Sequence, residues 1–579
     1  MIGLSFIICP LIFSVALTSC SDFDDYNDYK ANSHPYANRT LWENISQNSE
    51  LSDFAALVKK AGFDDELNTT HCYTVWAPIN GSFDAAQWQS LPSSALLRQF
   101  VKNHIADYSH PVSTSNAERV MMLNEKSYDL KAQRLEGLTI ELPDQPNNNG
   151  LLHTLRGAVP FYPNIYEFFT DSTLALGLNI DMVRHYFQKY EQTYLDEQTS
   201  VPGPIVDGMQ TYVDSVMVTT NTLWSMLNAR MTNEDSTYTV VIPNNTAWQK
   251  AYDRIKSYYH YSPTTVAQTF TNGNIDTNPA SISIDNAFWQ DSLTSSHLVR
   301  NLFFSNNDVY NTWLEGQPTS YGNDTLRSTT RTKLSNPQGI IAQARQKMAL
   351  SNGRALIVDS LAMYPWETYA PERSISASSA SNIGRVVTGS FQTYRVQTKD
   401  PEIGDYGYVH VTPSGGYARP ELDIYLSGVL SATYDFYCVF VPPYDAYTEE
   451  NLLPNRVIFT LNYCDEKGAL KDYVFLDERE ENINAFQEQF NLSDNTSNRT
   501  TIRAFSNDPL RLDTVYLGEF TFPVCYAGLG NDYCPNIKVT SPFSVFNKNL
   551  MAAYTRDLRI ASIILKPKEL VEFEESNKK

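Results

Sequence analysis

Histidine, cysteine and carboxylate side chains are the groups of this chain that could do acid–base, nucleophilic or metal chemistry. The nine histidines are scattered, and the sequence contains no HExxH, GxSxG or GxxxxGK[ST] motif. No CxxC pair provides the spacing of a zinc site. A carboxylate pair could hydrolyse a glycoside, but among 65 acidic residues such pairs arise by chance. The sequence therefore predicts no catalytic residue, no metal site and no cofactor.

One cysteine has surroundings with a chemical meaning. Residues 2–16 are uncharged and mostly apolar, and Leu17-Thr18-Ser19-Cys20 follows them. The apolar stretch is shorter than the roughly 20 residues of a spanning helix and has the length of a signal-peptide core. The tetrad resembles the bacterial lipoprotein signal, in which the chain is cut before a cysteine that then carries diacylglycerol. This resemblance implies a signal peptide at 1–19, lipidation of Cys20 and a tether at 20–38.

The first residues of this tether are strongly acidic. Four residues after Cys20 resemble an export signal: Ser21, Asp22, Asp24 and Asp25. In some Gram-negative phyla, such a signal directs lipoproteins to the outer face of the outer membrane. Two alternatives remain open. The acids could simply solvate a flexible tether, and Cys20 could follow an ordinary signal peptide by chance. The segment "MIGLS" departs from the signal pattern because it has no Lys or Arg. The expected location is the outer membrane, lipid-anchored and facing the exterior.

Charge and cysteine content limit the partners of the mature chain. The net charge is −21 and no basic run occurs, so nucleic acid is excluded as a partner. Eight residues separate Cys525 from Cys534, and a disulfide could close this loop in an exported protein. The alternative, small buried thiols in strands, fits Cys438 and Cys464 better.

Three motifs occur twice in the same order. "YTVWAPINGSF" at 73–83 aligns with "YTVVIPNNTAW" at 238–248, and "FVKNHI" at 100–105 corresponds to "LVRNLF" at 298–303. Both copies end in a Gly turn that leads into a strand, "NGLLHTLRGAV" and "NGRALIVDSLA". The first motif predicts a strand followed by a Pro-Asn turn that caps a helix.

These motifs resemble the fasciclin (FAS1) domain, an α/β fold with a β-wedge core and flanking helices. The resemblance implies one fasciclin domain at 39–160 and a second at 161–372, which is enlarged by insertions. His104 is replaced by leucine in the second copy, so we expect a packed or capping histidine rather than a duplicated functional residue.

The remaining third of the chain has a different pattern. Residues 373–386 are rich in Ser and Ala and are expected to be a linker. Short strands at 387–568, with one helix at "EENINAFQEQF", predict an antiparallel β-sandwich, and 569–579 is expected to be a polar tail. In "YDFYCVFV" both faces are apolar, which indicates a strand buried on both sides. The fold class is therefore multidomain α+β: two tandem fasciclin domains followed by a sandwich.

Three functions are consistent with these features. The resemblance favours a non-enzymatic accessory lipoprotein of a TonB-dependent (SusC/SusD-like) nutrient transporter, with the barrel and the SusD-like lipoprotein as partners. A surface adhesin for host matrix or cells and a surface glycan hydrolase are the alternatives. A glycan or a peptide could be the ligand, and Tyr444 and Tyr447, on a proline-framed loop, are candidate contacts because tyrosine rings stack on sugars.

Overall fold

The computed structural model resolves two compact units. It describes residues 38–112, 117–175, 177–206, 208–266, 270–271, 274–275, 281–283, 285–315, 325–395, 407–442, 452–529 and 535–578. One unit comprises the described residues up to Gly177 together with Thr232–Asp235 and Ala349–Asn352; the other contains the rest.

The first unit contains a wedge-shaped sheet with helices against one face. Its helices are Leu41–Gln47, Ser52–Ala61, Ala85–Gln89, Ser93–Leu96 and Ile165–Thr170, with short helical turns at Ser49–Leu51, Glu66–Asn68, Leu97–Val101, Lys102–His104 and Ser172–Leu174. In spatial order, its seven strands are Ile105–Asp107, Tyr73–Pro78, Gly150–Leu155, Leu138–Asn147, Arg134–Leu135, Ser127–Lys131 and Glu118–Met121.

Strand Tyr73–Pro78 lies between two cores. Tyr73, Val75 and Ala77 pack with the helices, whereas Trp76 packs inside the wedge with residues of the other strands. All six residues of the strand are buried, which explains why its sequence is apolar without alternation. An isolated bridge between Ala106 and Met122 joins the two ends of the sheet.

The second copy of the motifs, in the second unit, forms a smaller sheet. Its strands, in spatial order, are Phe303–Ser305, Tyr238–Pro243, Gly353–Val358 and Ala344–Leu350. The helices around it are Asp181–Gln188, Leu223–Leu227, Asn245–Ser257, Asn286–Val299 and Pro337–Ala342, with turns at Thr312–Glu315 and Pro365–Glu367. Further short strands lie at Thr264–Val266, Phe270–Thr271, Asn274–Ile275, Ser281–Ser283, Leu326–Arg327 and Lys333–Leu334.

The two motif copies share one strand register. Tyr73 pairs with Gly150 in a parallel ladder, and Tyr238 pairs with Gly353 in the same way. On the other side each strand has an antiparallel neighbour, which follows the helical second motif directly. The sequence repeat is therefore also a structural repeat.

The motif asparagine has the same structural role in both copies. Asn80 Oδ1 accepts a hydrogen bond from the backbone N–H of Asp53 at 3.0 Å, and Asn245 Oδ1 accepts one from Met182 at 2.9 Å. Asp53 and Met182 are each the second residue of a helix N-terminal to the motif, Ser52–Ala61 and Asp181–Gln188. Each asparagine thus satisfies an N–H that the helix leaves unpaired.

The predicted cap of the following helix is correct in one copy only. In the second copy Asn244 accepts from the Ala247 N–H at 2.9 Å and begins helix Asn245–Ser257. In the first copy the following helix begins later, at Ala85, and Asp84 caps it. Asn80 is not its cap, because the turn after Pro78 delays the helix.

One enlargement of the second copy is a β-hairpin. Strand Glu191–Leu195 pairs with Met217–Asn221, and Val201–Val206 pairs with Met209–Asp214. Only part of the other predicted insertion, after Lys256, lies within the described residues.

Two antiparallel sheets enclose the core of the last third of the chain. The first contains Gly389–Arg395, Gly407–Pro413, Leu558–Pro567, Thr433–Phe440 and Asp513–Thr521, with Arg373–Ser376 paired to Leu558–Pro567. The second contains Ile383–Val387, Glu421–Tyr425, Asn536–Thr540, Arg456–Cys464 and Leu470–Phe475, with Phe505–Ser506 paired to Arg456–Cys464. Apolar residues of both sheets form one core cluster, as in a β-sandwich.

The strand predicted to be buried on both faces has that environment. Tyr434, Phe436, Cys438 and Phe440 point into the core between the sheets. Val439, on the opposite face, packs in a separate apolar cluster. The predicted helix at Glu480–Phe490 is also present, and further helices lie at Arg499–Ile502, Lys548–Ala553 and Lys568–Lys578.

Two predicted boundaries are wrong. Residues 373–386 are not a linker: Arg373–Ser376 and most of Ile383–Val387 are paired strands, so the two-sheet region begins at Arg373 rather than at 387. The expected polar tail at 569–579 forms helix Lys568–Lys578. Phe573 of this helix packs on Trp366, with ring centroids 5.0 Å apart. Phe573 also contacts Tyr364, and backbone pairing and side-chain contacts thus order segments whose composition is polar.

Within the described ranges, no helix combines the length and apolar character needed to cross a bilayer.

Candidate binding sites

Most of the predicted site residues lie outside the described part of the chain. These are the lipidation residue, the four export-signal residues, both candidate tyrosines and one cysteine: Cys20, Ser21, Asp22, Asp24, Asp25, Tyr444, Tyr447 and Cys534. They stay predictions. Upstream of the two tyrosines, residues Thr433–Phe440 form a strand.

Cys525 is buried and forms no disulfide with another cysteine of the described residues. Its sulfur accepts a hydrogen bond from the Ala527 N–H at 3.3 Å, and burial raises the pKa of the thiol to about 12. Cys438 and Cys464 are buried strand residues, as predicted. Because the thiolate is the reactive form, a raised pKa makes Cys525 a poor nucleophile. Its disulfide with Cys534 remains a prediction.

His104 is a packed histidine. Its side chain is fully buried; Nδ1 lies 2.7 Å from the carbonyl oxygen of Phe100, and Nε2 accepts the Val159 N–H at 2.9 Å. This arrangement requires the neutral ring with the proton on Nδ1. Burial lowers the pKa of His104 to about 4, so the ring is neutral at pH 7. The histidine links the helical second motif to the end of the last strand and has a structural role.

The second copy contains a shallow cleft with aromatic residues in its base, here called the aromatic cleft. Helices Asp181–Gln188, Asn245–Ser257 and Asn286–Val299 form its walls, and its volume is about 380 Å³. Tyr186 and Trp248 lie in the base with ring centroids 5.7 Å apart. Trp248 is the closing aromatic residue of the repeated motif, so the fold places part of the motif in this cleft.

One side of the aromatic cleft is polar. The Tyr252 hydroxyl donates to Asp291 Oδ1 at 3.0 Å, and Lys189 Nζ lies 3.6 Å from Asp291 Oδ2. Burial, together with the hydrogen bond to Asp291, raises the pKa of Tyr252 to about 12. The phenol therefore remains a hydrogen-bond donor at neutral pH. Rings beside a carboxylate, an ammonium group and a phenol can hold a ligand that has both apolar and polar faces.

The sequence did not identify this cleft. Its residues come from three helices separated by up to a hundred positions, and the lining includes His185, Gln249 and Ser295. The only sequence signal was the aromatic residue that ends the motif. Among the described residues, no group of three or more His, Cys, Asp or Glu side chains is placed to hold a metal ion.

Comparison with known proteins shows what part of the chain is similar to. The fasciclin domain family model matches residues 49–158. A solved FAS1 domain pair from the insect cell adhesion molecule fasciclin I matches at 11% identity and a TM-score of 0.18, covering 56% of this chain and 99% of that one. No curated protein matches the sequence.

The matched region contains the wedge sheet, most of its helices and the first copy of all three motifs. Fasciclin domains are typically adhesion or binding modules and generally lack catalytic activity, which is compatible with a non-enzymatic binding role for this chain. Residues 49–158 of this chain are therefore similar to the fasciclin domain family.

Proposed function

We propose that this protein is a non-enzymatic cell-surface lipoprotein that binds a ligand or partner proteins as an accessory subunit of a TonB-dependent (SusC/SusD-like) nutrient-uptake complex. The observation that carries the proposal is the fasciclin domain at 49–158, because domains of this type act mainly by binding. The lipoprotein signal and the acidic residues that follow Cys20 support the location at the cell surface.

The architecture in this proposal is two fasciclin domains followed by a β-sandwich. The shared register, Tyr73 with Gly150 and Tyr238 with Gly353, supports a second fasciclin domain, as does the equivalent asparagine cap. The two sheets after Arg373 with their common core support the sandwich.

In this role the protein acts through contacts and changes no covalent bond. The aromatic cleft offers one docking surface, with rings in its base and Lys189 and Asp291 at its side. The long hairpin is a second, since the side chains of Ile205, Met209 and Val213 are largely exposed. Its edges also offer backbone groups to which a partner strand can pair.

Adhesion to host matrix or to neighbouring cells is the second candidate function. The fasciclin domain itself favours it, since adhesion is one of the two general roles of this domain type.

A pull-down from native outer membranes distinguishes the two functions. The tagged full-length protein is purified in mild detergent, and co-purifying proteins are quantified by mass spectrometry; the Cys20→Ser variant is the control for anchoring. We expect a TonB-dependent barrel and a SusD-like lipoprotein in near-stoichiometric amounts. Purification without partners, together with binding to matrix proteins or cells, would refute the transporter role and support adhesion.

A further inference from the structure

Two large aromatic side chains of the two-sheet region are exposed side by side. Tyr417 is 71% exposed and Phe546 is 78% exposed, and their ring centroids are 4.9 Å apart with the planes inclined at 37°. They lie on different loops, one after strand Gly407–Pro413 and one after Asn536–Thr540. We call them the aromatic pair.

Hydrogen bonds from the buried residue Arg556 hold the loop that carries Tyr417. The Nη1 atom of Arg556, a buried residue, donates to the carbonyl oxygens of Gly415, Gly416 and Ala418. The Val545 N–H donates to the Gly416 carbonyl oxygen at 3.2 Å, which connects the second loop to the first. The aromatic pair is therefore pre-organised, and a ligand that binds there pays little entropy to order it.

The two loops that carry the aromatic pair are polar and basic in sequence. The loop segments 414–419 and 544–549 read SGGYAR and SVFNKN, so they contain Arg419 and Lys548 but no carboxylate. Both cations are exposed, as are Ser414 and Asn547. In a chain with a net charge of −21, these two loops are a local exception.

We propose that the aromatic pair is a binding site for an acidic oligosaccharide, one that carries uronate or sulfate groups. The rings would stack on a sugar face, the amide and hydroxyl groups would bind its hydroxyls, and Arg419 and Lys548 would pair with its anionic groups. This inference deepens the proposed function, on which it rests, by naming the ligand class.

The size of the apolar surface favours a sugar over a protein. Rings of this kind expose 150–250 Å² each when free, so at 71% and 78% exposure the pair offers roughly 300 Å². A stable protein interface needs about 800 Å² on each partner. A polar rim around a small apolar centre fits one or two sugar units.

Glycan binding by the full-length protein tests the inference. The purified protein is applied to an array of uronate-containing, sulfated and neutral glycans, and the affinity for the best ligand is measured by calorimetry. We expect acidic glycans to bind and both Tyr417→Ala and Phe546→Ala to weaken binding at least about tenfold. The double variant Arg419→Gln, Lys548→Gln should remove the preference for acidic over neutral glycans.

Matched variants control for the loss of an exposed ring elsewhere. Tyr108→Ala removes a tyrosine that is also 71% exposed, and Phe288→Ala removes a 61% exposed phenylalanine; both should leave glycan binding unchanged. The inference is refuted if no glycan binds or if the aromatic-pair variants bind as the wild type does. Equal binding of neutral glycans would refute the acidic preference. Ring-dependent binding to phosphatidylglycerol vesicles, without glycan binding, would assign the site to a membrane surface instead.

The outcome can be separated from the transporter proposal. Co-purification of the barrel is measured with the wild type and with Tyr417→Ala. If the wild type binds acidic glycans but co-purifies no barrel, the accessory role fails and the glycan site stands. If the barrel co-purifies and no glycan binds, the accessory role stands and the glycan site is refuted.

Discussion

At the scale of single residues, Lys126 shows how a buried charge is accommodated in the first unit. Its side chain is 3% exposed, and Nζ lies 2.8 Å from Glu167 Oε2 and 2.7 Å from Glu234 Oε1. Nζ also donates to Ser351 Oγ at 3.2 Å. One ammonium group thus offsets two carboxylates, and three hydrogen-bond acceptors replace the water that it loses.

Removing this ammonium group should be costly. We expect Lys126→Met to lower the free energy of unfolding of the first unit by about 3 kcal/mol, because Glu167 and Glu234 lose the ammonium group that they share. Among the described residues, Glu167 then keeps only Arg98 as an ion-pair partner, whose Nη1 lies 3.1 Å from Oε1. Urea denaturation followed by tryptophan fluorescence measures the change. The control is Lys131→Met, at an exposed position, which should change stability by less than about 0.5 kcal/mol. Equal effects of the two variants would contradict the role of the buried ion pairs.

His104 should make the fasciclin domain sensitive to acid. Its pKa is lowered to about 4 in the folded state, against about 6.5 in the unfolded chain, so folding excludes a proton. The contribution of the neutral His104 ring to the free energy of unfolding is complete above pH 6.5. This contribution, about 3 kcal/mol, is lost as the pH falls toward 4. Urea unfolding of the wild type and of His104→Gln at several pH values measures this. The stability difference between them should shrink on acidification; a constant difference would contradict the assignment.

At the scale of elements, the parallel ladder of each copy depends on one glycine. Gly150 has φ +141°, and a Cβ there would lie 1.8 Å from the Tyr73 carbonyl oxygen. Gly353 has φ +142°, and its Cβ would lie 1.9 Å from the Tyr238 carbonyl oxygen. The glycine that ends each Asn-Gly turn thus allows the closest approach of the two central strands.

Substitution of this glycine should disrupt the sheet. We expect Gly150→Ala to destabilise the first unit by more than about 2 kcal/mol, from backbone strain and the clash with Tyr73. Gly137→Ala is the matched control, because Gly137 also has positive φ but has no atom within 4 Å of its Cβ position. Thermal unfolding of both variants is compared with the wild type. If Gly137→Ala is as destabilising, conformational strain alone, not close strand approach, explains the requirement.

At the scale of the whole molecule, the serine-rich segment at 373–386 should resist proteolysis. Ser374 and Ser376 pair with Ile564 and Ser562, and the Ile375 side chain is buried in the core between the two sheets. A protease needs an extended, unpaired substrate. We therefore expect no early cleavage within the paired strands 373–376 and 383–387 when the native protein is digested with subtilisin and the fragments are identified by mass spectrometry. An early cut there would mean that these strands are not paired in solution.

The proposed lipid anchor also allows a direct prediction. The mature chain should begin at Cys20 with attached acyl chains, as the Leu17–Cys20 tetrad implies. Mass spectrometry of the N-terminal peptide from native membranes, and labelling with palmitate, should show the modification. Cys20→Ser should abolish both the label and membrane retention, because the acyl chains that anchor the protein are attached at this cysteine. An unmodified cysteine, or cleavage at another residue, would disprove the anchor.

The sequence by itself determined the repeated motifs, the fasciclin resemblance of the first domain and the strand character of the last third. These features are local: apolar runs, glycine turns and asparagine caps are encoded within a few residues of the positions that they shape. Comparison of the two motif copies predicted a packed or capping His104, and the strand pattern predicted buried thiols at Cys438 and Cys464. The buried state of all three was confirmed.

Only the tertiary structure decided which segments pair over long distances. Residues 373–386 have the composition of a linker, but their partners lie near Ile564 and Leu422, and a strand of low apolar content is ordered when its backbone groups find such partners. Tyr417 and Phe546 are 129 positions apart and meet because two loops are joined by backbone hydrogen bonds. Sites assembled in this way have no spacing in the sequence, since the fold, not the chain order, sets the distance between their parts.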